Sequence, residues 1–178
     1  MVSRPNIELR STAEGDFEAF RLLRKAVMRA HVVRQGLPWD DEAEDKYHRR
    51  LFDDGGLFQI LSDGKRVGFV GLTVRDEVVT LGRFCLEEAC QRRGIGTRVL
   101  AAIFAEPKWA GRKIVLDVLR LNPVRRLYEQ SGFQLVGEDE KLAYYERPAQ
   151  PIDPRGKITA ALEAKRRRNV SRRNAPKR

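Results

Sequence analysis

Two stretches of this sequence decide its fold: Gln91-Arg92-Arg93-Gly94-Ile95-Gly96-Thr97 and, further along the chain, Asn122-Pro123-Val124-Arg125-Arg126-Leu127-Tyr128-Glu129-Gln130-Ser131-Gly132-Phe133. The first stretch follows a predicted strand and opens a predicted helix. Glycines allow a backbone to approach a ligand closely, and the first turn of a helix presents unpaired N–H groups with a partial positive charge. The first stretch therefore predicts an anion site suited to a pyrophosphate, to which Arg92 and Arg93 add charge.

The glycine pattern of this stretch does not fit the better-known phosphate motifs. Val99 stands where a dinucleotide-binding fold has its third glycine, and Gly96 is not followed by the Lys-Ser/Thr pair of a P-loop. On this segment alone, a plain glycine turn before a surface helix stays an open alternative.

The flanking sequence alternates between helical and strand patterns. Ser11 and Glu14 have the spacing of a capping box and predict a helix start, with the helix running to about Ala30. Apolar residues on both faces of Val67 to Val74 predict a central, covered strand. The predicted helices are 11–30, 41–52, 97–106 and one beginning at Pro123, and the predicted strands are 6–10, 57–61, 66–75, 78–86, 114–119, 133–136 and 142–146.

Together the two stretches resemble the GNAT superfamily of acetyl-CoA-dependent N-acetyltransferases. The family's signature, Q/R-x-x-G-x-G/A, matches Gln91 to Gly96, and its next block, an Asn, a helix with a Tyr, then Gly-Phe, matches Asn122, Tyr128 and Gly132-Phe133. The resemblance covers about residues 6–147. It implies an α+β fold whose central sheet is mixed, mostly antiparallel, has about six to seven strands and is flanked by about four helices.

The resemblance also implies a site for acetyl-CoA as cosubstrate. The pantetheine arm is expected along the end of the fourth strand, the pyrophosphate on the backbone amides of residues 92–97, and the CoA phosphates near Arg125. The implied cofactor residues are Phe84, Cys85, Leu86, Gln91, Arg92, Arg93, Gly94, Ile95, Gly96, Thr97, Asn122, Arg125 and Tyr128.

Tyr128 and Leu86 carry the implied catalytic roles. The phenol of Tyr128 is expected to protonate the leaving thiolate, and the backbone N–H of Leu86 is expected to meet the oxyanion. Alternatives remain for their neighbours and for the tyrosine itself: Tyr128 as a core aromatic, Asn122 as a helix cap, and Cys85 as a small core residue. Since no activated nucleophile is evident, the sequence favours direct attack by a primary amine over an acyl-enzyme.

The general base and the acceptor site are the least determined features. The strand Val78–Leu86 contains no carboxylate, Arg83 occupies its centre, and an amine already partly deprotonated in an apolar pocket needs no dedicated base. Trp39 and His31, around the loop after the first helix, are the predicted substrate residues. Packing is the alternative for Trp39, and a favourable interaction with the helix dipole is the alternative for His31.

Composition narrows the class of protein further. The chain has 178 residues, of which 42% are hydrophobic, and it has two cysteines without the spacing of a metal site. No metal is therefore expected. Its N-terminus lacks an apolar signal segment and no apolar run is long enough for a membrane span, so a cytoplasmic protein is expected.

The charge is unevenly distributed along the chain. The net charge is +10, but residues 155–178 hold ten basic residues against Glu163 and so carry +9. We therefore predict a GNAT-like domain over residues 1–147, a proline-rich linker over 148–154 and a basic, disordered tail over 155–178. The partners expected are a small-molecule or peptide amine and, through the tail, nucleic acid. A nucleic-acid or ribosome-associated binding module on a catalytically weak fold is the alternative function, and a homodimer is an open possibility.

Overall fold

A computed structural model describes residues 5–150 of the chain. Seven strands and four α-helices follow one another within this part of the sequence. In chain order they are β1 (Ile7–Ser11), α1 (Asp16–Arg34), α2 (Asp41–Asp53), β2 (Leu57–Ser62), β3 (Lys65–Arg75), β4 (Val78–Leu86), α3 (Ile95–Ala105), β5 (Lys113–Leu119), α4 (Arg125–Gln130), β6 (Gln134–Glu138) and β7 (Leu142–Arg147).

The strands form one open sheet in the order β1-β2-β3-β4-β5-β7-β6. Every neighbouring pair is antiparallel except β4 and β5, which run parallel. The parallel connection passes through α3, as a crossover between parallel strands requires. The sequence prediction of a mixed, mostly antiparallel sheet flanked by helices is confirmed.

Both faces of the sheet are covered, which explains the continuous apolar runs of β2 and β3. Leu57 and Phe69 belong to a cluster with Phe20 and Phe52 of α1 and α2. The next residue along each strand belongs instead to the larger cluster that includes α3 and α4, because successive side chains point to opposite faces. The site described below lies where these two helical layers meet the end of β4.

Two irregularities open the sheet beside β4. The pairing Phe69–Cys85 is followed by Gly71–Gly82, so two residues of β4, Arg83 and Phe84, lie opposite one residue of β3. This β-bulge bends the strand. The parallel pairing of β4 with β5 covers only Val78–Thr80, so the two strands diverge from Leu81 onward, before the bulge. The result is a cleft between the two central strands.

The predicted elements agree with the observed ones, with one local error. Ser11 is not a helix cap: it lies in β1, paired with Phe58, and α1 begins at Asp16 after the cap residue Gly15. Glu14 does not close a capping box either, since its carboxylate binds Arg49 at 2.8 Å. Ser11 therefore pairs with β2 as the last residue of a strand, in place of capping the predicted helix.

The end of the described chain remains close to the sheet. The backbone N–H of Gln150 donates to the carbonyl of Gly111 at 2.9 Å. The predicted linker is therefore described only over its first three residues, and the predicted tail lies outside the described residues, as does its expected contact with nucleic acid. Among residues 5–150, no helix combines the length and the apolar character needed to span a membrane.

Candidate active site

The first turn of α3 is a backbone anion site in geometry. Gly94, the cap residue, has φ +76°, and no side chain caps the helix. A Cβ built on Gly94 would meet nothing within 4 Å, so its approach from solvent is open. The first amides of this helix have no intrahelical acceptor, and the earliest helical bond is donated by Arg98 to Gly94. These features fit the pyrophosphate of CoA.

Gly96 has a different role from Gly94. A Cβ at Gly96 would lie 3.0 Å from Cδ2 of Leu127 on α4. The second glycine of the signature therefore lets α3 and α4 approach each other, a packing function that the sequence motif did not reveal. Through this contact the N-terminus of α3 packs on α4, the helix that also carries Tyr128.

The side chains just before α3 hold the loop itself. Gln91 donates through Nε2 to the carbonyl of Leu86 at 2.9 Å, and Arg93 donates to the carbonyl of Ala89 at 3.3 Å. Arg92 has φ +54°, a left-handed conformation that is uncommon outside glycine. Gln91 thus ties the anion site to the end of β4, where the thioester is expected.

A cavity of about 510 Å³ opens at the cleft between β4 and β5. Its walls combine residues of α1 and α2 with the bulged part of β4, the outer half of β5 and the start of α4. The lining residues used below are Arg24, Glu44, Tyr47, His48, Arg83, Phe84, Cys85, Asp117, Asn122, Tyr128 and Lys141. Of the predicted site residues, Phe84, Cys85, Asn122 and Tyr128 come together here, whereas Leu86 lies just beyond the lining, at the end of the strand.

Tyr128 is almost fully buried, with 5% of its surface exposed, and lines the cavity. Burial raises the pKa of its phenol well above its usual value, and the nearby Cys85 and Asp117 raise it further. The phenol is consequently protonated at neutral pH and can donate a proton. Its ring also packs edge-on against Phe133, with 5.7 Å between the ring centres. Tyr128 is therefore a core aromatic residue as well as a cavity-lining one, and the packing alternative does not exclude a catalytic role.

Cys85 is buried beside Tyr128 without being activated. Burial raises the pKa of its thiol to about 11, and the charges of Arg24 and Arg83 only partly oppose this shift. A thiolate is the nucleophilic form, so the high pKa argues against an acyl-enzyme on this residue.

Asn122 organises the turn before α4 and lines the cavity, and its role toward the cofactor stays a prediction. Its Oδ1 accepts the backbone N–H of Val124 at 3.0 Å, which organises the turn before α4. Only 8% of its surface is exposed, and the residue lines the cavity.

Arg125 is committed to contacts within the protein. Its Nε donates to the hydroxyl of Tyr145 at 2.8 Å, and its two other nitrogens donate to the Arg120 carbonyl and to Glu138. The guanidinium thus joins α4 to β7 and β6. Its expected contact with the CoA phosphates remains a prediction, which would use the two N–H donors that these three bonds leave over.

The predicted acceptor residues are not among those that line the cavity. Trp39 donates from Nε1 to Asp41 at 2.8 Å, and the centre of its ring lies 5.7 Å from the guanidinium carbon of Arg24. His31 lies in the last turn of α1, consistent with the helix-dipole alternative. Residues that sequence reasoning did not assign take their place, notably Arg24, Tyr47 and His48.

His48 is the buried polar residue nearest to the acceptor side. Its Nδ1 lies 2.6 Å from the Glu44 carbonyl, so Nδ1 carries the proton and Nε2 the lone pair; the contact of Arg24 Nε with Nδ1, at 3.4 Å, is then not a hydrogen bond. Nε2 is buried without a hydrogen-bond partner among the described residues. Burial, aided by the Arg24 charge, lowers the pKa of His48 to about 4. The spacing Glu44, His48, Phe52 on one helix face was the available signal, since two of the three are buried.

Fold and site together define an enzyme class: a transferase in which a helix N-terminus that can hold a pyrophosphate adjoins a cleft in a split sheet. The chain belongs to the acetyltransferase (GNAT) family, whose sequence profile matches residues 21–133. Its cosubstrate is acetyl-CoA, which the open, uncapped start of α3 fits. Within residues 5–150 no three potential metal ligands are grouped together.

Solved structures agree with this fold. An N-acetyltransferase PaiA from Thermoplasma acidophilum, solved with coenzyme A, has 19% identity and a TM-score of 0.66 and covers 80% of this chain and 99% of its own. An acetyltransferase from Thermus thermophilus has 20% identity and a TM-score of 0.65 over 80% of this chain and 97% of its own. The ribosomal-protein-S18-alanine N-acetyltransferase from Escherichia coli has 19% identity and a TM-score of 0.61 over 84% and 97%. No curated protein sequence matches this chain.

Proposed function

We propose that this protein transfers the acetyl group of acetyl-CoA to a primary amine by direct attack in a ternary complex. The observation that carries the proposal is the junction at Tyr128, which lines the acceptor-side cavity and adjoins Leu127, the residue packed on the first turn of α3. Cofactor and acceptor can therefore reach the same phenol from two directions. The acceptor is a small molecule or a peptide, and the alanine substrate named for the E. coli relative is one instance of such an amine.

On the cofactor side, the backbone of residues 92–97 holds the pyrophosphate and the end of β4 holds the pantetheine arm. Acetyl-CoA supplies the thioester from which the acetyl group is taken. Gln91 supports this arrangement because its hydrogen bond to the Leu86 carbonyl fixes the end of the strand against the loop. The N–H of Leu86 is our choice for the group that meets the oxyanion, since it lies beyond the bulge where β4 turns away from β5.

Tyr128 acts as the acid in this proposal. Its raised pKa keeps the proton on the phenol, which donates a hydrogen bond to the departing thiolate and shares its proton with the sulfur as negative charge develops there. Cys85 does not compete as a nucleophile, because its thiol is also held in the protonated form. Direct attack by the amine follows from these two directions of shift.

The acceptor must arrive without its proton, and β4 offers no carboxylate to take it. His48 is neutral at pH 7, but the raised cost of charging it makes it a weak base. The acceptor therefore loses its proton before it binds. This route is the one most consistent with the charges around the cleft, which disfavour a bound cation.

Initial-rate kinetics test this function. Acetyl-CoA turnover is measured with peptide N-termini, amino acids, polyamines and aminoglycosides, and both substrates are then varied for the best acceptor. A ternary complex gives intersecting double-reciprocal lines, whereas parallel lines would indicate an acyl-enzyme and contradict direct attack. Mass spectrometry of the protein after incubation with acetyl-CoA alone, with Cys85→Ala as the matched control, checks whether an acetyl adduct forms on that residue.

A further inference from the structure

The bulge in β4 places a cation at the wall of the acceptor cavity. Arg83 is half-buried, lines the cavity and has φ +50°, a conformation that non-glycine residues rarely adopt. Left-handed residues outside glycine concentrate at functional sites, where the surrounding structure holds them in place. The side chain extends from the bulge toward α2, with its guanidinium carbon 4.8 Å from the centre of the Tyr47 ring.

No carboxylate among residues 5–150 forms an ion pair with Arg83. Its guanidinium is accompanied by an aromatic face instead. Arg24, the other arginine of the cavity, differs in this respect because Nη2 binds Glu44 at 2.7 Å. Two further charged groups line the cavity, Lys141 and Asp117, and neither forms an ion pair with Arg83.

We propose that Arg83 binds an anionic group carried by the acceptor, so that the preferred substrate is an amine that also bears a carboxylate or a phosphate. A guanidinium presents paired N–H donors that match the oxygens of either anion. The Tyr47 ring supports one face of the guanidinium and leaves its edge for the ligand. This inference rests on the proposed function, because it names the substrate class of the same site.

The same charge helps to explain how the reaction proceeds without a carboxylate on β4. A positive group near a bound amine favours the neutral form of that amine, which is the form that attacks. An acceptor held by its anionic end therefore brings its nitrogen into surroundings that promote loss of the proton. Acceptors with a second cation, by contrast, meet repulsion from Arg83.

Product mimics test the subsite without requiring turnover. N-acetylglycine and its neutral counterpart N-acetylglycinamide are titrated into protein saturated with CoA, and binding is followed by NMR chemical shifts of Gly82 and Arg83. We expect the acid to bind about tenfold to a hundredfold more tightly than the amide, the range of one hydrogen-bonded charge pair. N-acetylated phosphoethanolamine, titrated in parallel, shows whether phosphate is preferred to carboxylate.

Two variants make the result specific. Arg83→Gln is expected to remove the preference for the acid, while Arg75→Gln, the same change on the exposed end of β3 outside the cavity, is expected to retain it. Equal binding of acid and amide by the unaltered protein, weak binding of both anionic probes, or a preference that survives in Arg83→Gln would each overturn the proposal.

A kinetic comparison separates this inference from the proposed function. The ratio of kcat/KM for an acceptor as free acid and as amide is measured in the unaltered protein and in Arg83→Gln, so that intrinsic differences in amine reactivity cancel. We expect the ratio to fall about tenfold or more in the variant. Loss of acetyl-CoA turnover with every acceptor would refute the proposed function, while the binding titration would still decide whether Arg83 selects anions.

Discussion

The two sides of the active site are built in different ways. The proposed cofactor side is a run of consecutive residues, 91–97, in which the backbone would provide the ligands and the glycine geometry leaves the approach open. The acceptor side is assembled from single side chains of α1, α2, β4 and β5 that are distant in the sequence. The first kind of site leaves a readable motif because its function depends on local conformation, and the second kind leaves none.

This difference explains which of the predicted residues lie at the cavity. Cys85, Asn122 and Tyr128 belong to the family's motif blocks or to the strand beside them, and they meet in the cavity. Trp39 and His31 were chosen by residue type and by position in or beside a loop, whereas the cavity is lined by their sequence neighbours Pro38 and Val32 and by Arg24, Tyr47 and His48. Substitutions on one side test whether the function of the other side is left unchanged.

The largest effect is expected where the two sides meet. Tyr128→Phe keeps the ring packed on Phe133 and removes the proton, so kcat should fall by about 10²- to 10⁴-fold with little change in acetyl-CoA affinity. Steady-state kinetics and a CoA titration measure both quantities. Tyr144→Phe, which removes an exposed hydroxyl bound to Asp139, is the control and should leave kcat unchanged. Full activity of Tyr128→Phe would reduce this residue to a packing role.

On the acceptor side, His48 should make stability depend on pH. Its pKa is about 4 in the folded protein and about 6.5 when unfolded, so the unfolded state binds the proton more readily between these values. The stabilisation is complete above pH 6.5 and declines as the pH falls toward 4, by about 2 to 3 kcal/mol. Urea unfolding at pH 7 and pH 4.5 measures it.

His48→Phe isolates this contribution, because phenylalanine preserves the aromatic contacts with Phe20 and Tyr47 and cannot titrate. The variant should lose less stability than the unaltered protein when the pH is lowered. His31→Gln is the comparison variant. Burial also lowers the pKa of His31, so this substitution should change the pH dependence in the same direction but by less than His48→Phe does. An identical pH dependence in His48→Phe and the unaltered protein would show that the pKa of His48 is the same in the folded and the unfolded state.

On the cofactor side, a single methyl group should distinguish strain from ligand access. Gly94→Ala and Gly55→Ala both place alanine at a left-handed position with open space around Cβ, so each should lose about 1 kcal/mol of stability. We expect only Gly94→Ala to weaken CoA binding, by about tenfold or 1.4 kcal/mol. Thermal unfolding with and without CoA measures both effects, and equal CoA stabilisation of the two variants would move the pyrophosphate away from Gly94.

The smallest effect is expected from the basic segment that follows the described residues. Removing residues 155–178 takes away a charge of +9 and should change melting temperature and CoA affinity by no more than a surface substitution does, about 0.5 kcal/mol. Any affinity of the intact chain for RNA should disappear with it and should decrease steeply with salt. Filter binding at several salt concentrations compares the two chains. Undiminished RNA binding by the shortened chain would place that surface on residues 1–154.

The sequence by itself determined the sheet, the helices and the backbone anion site. Hydrophobic periodicity marks elements that bury a face, and Gly94 and the residues after it mark a helix start that no side chain caps. Both signals are local, because they arise from the conformation of neighbouring residues. The one local failure, the Ser11 capping box, occurred where pairing with β2 extended a strand over a helix signal.

Only the tertiary structure decided the acceptor side and several details of the motif. At the bulge that turns Arg83 into the cavity, two residues of β4 lie opposite one residue of β3. This mismatch exists only when the two strands are paired, so neither strand shows it by itself. A side chain at Gly96 would meet Leu127 of α4. The guanidinium of Arg125 is hydrogen-bonded to Tyr145 and Glu138, which the sheet brings across from it. Each of these depends on which distant side chains are brought together, and a cavity formed by such side chains has no spacing that a single sequence could display.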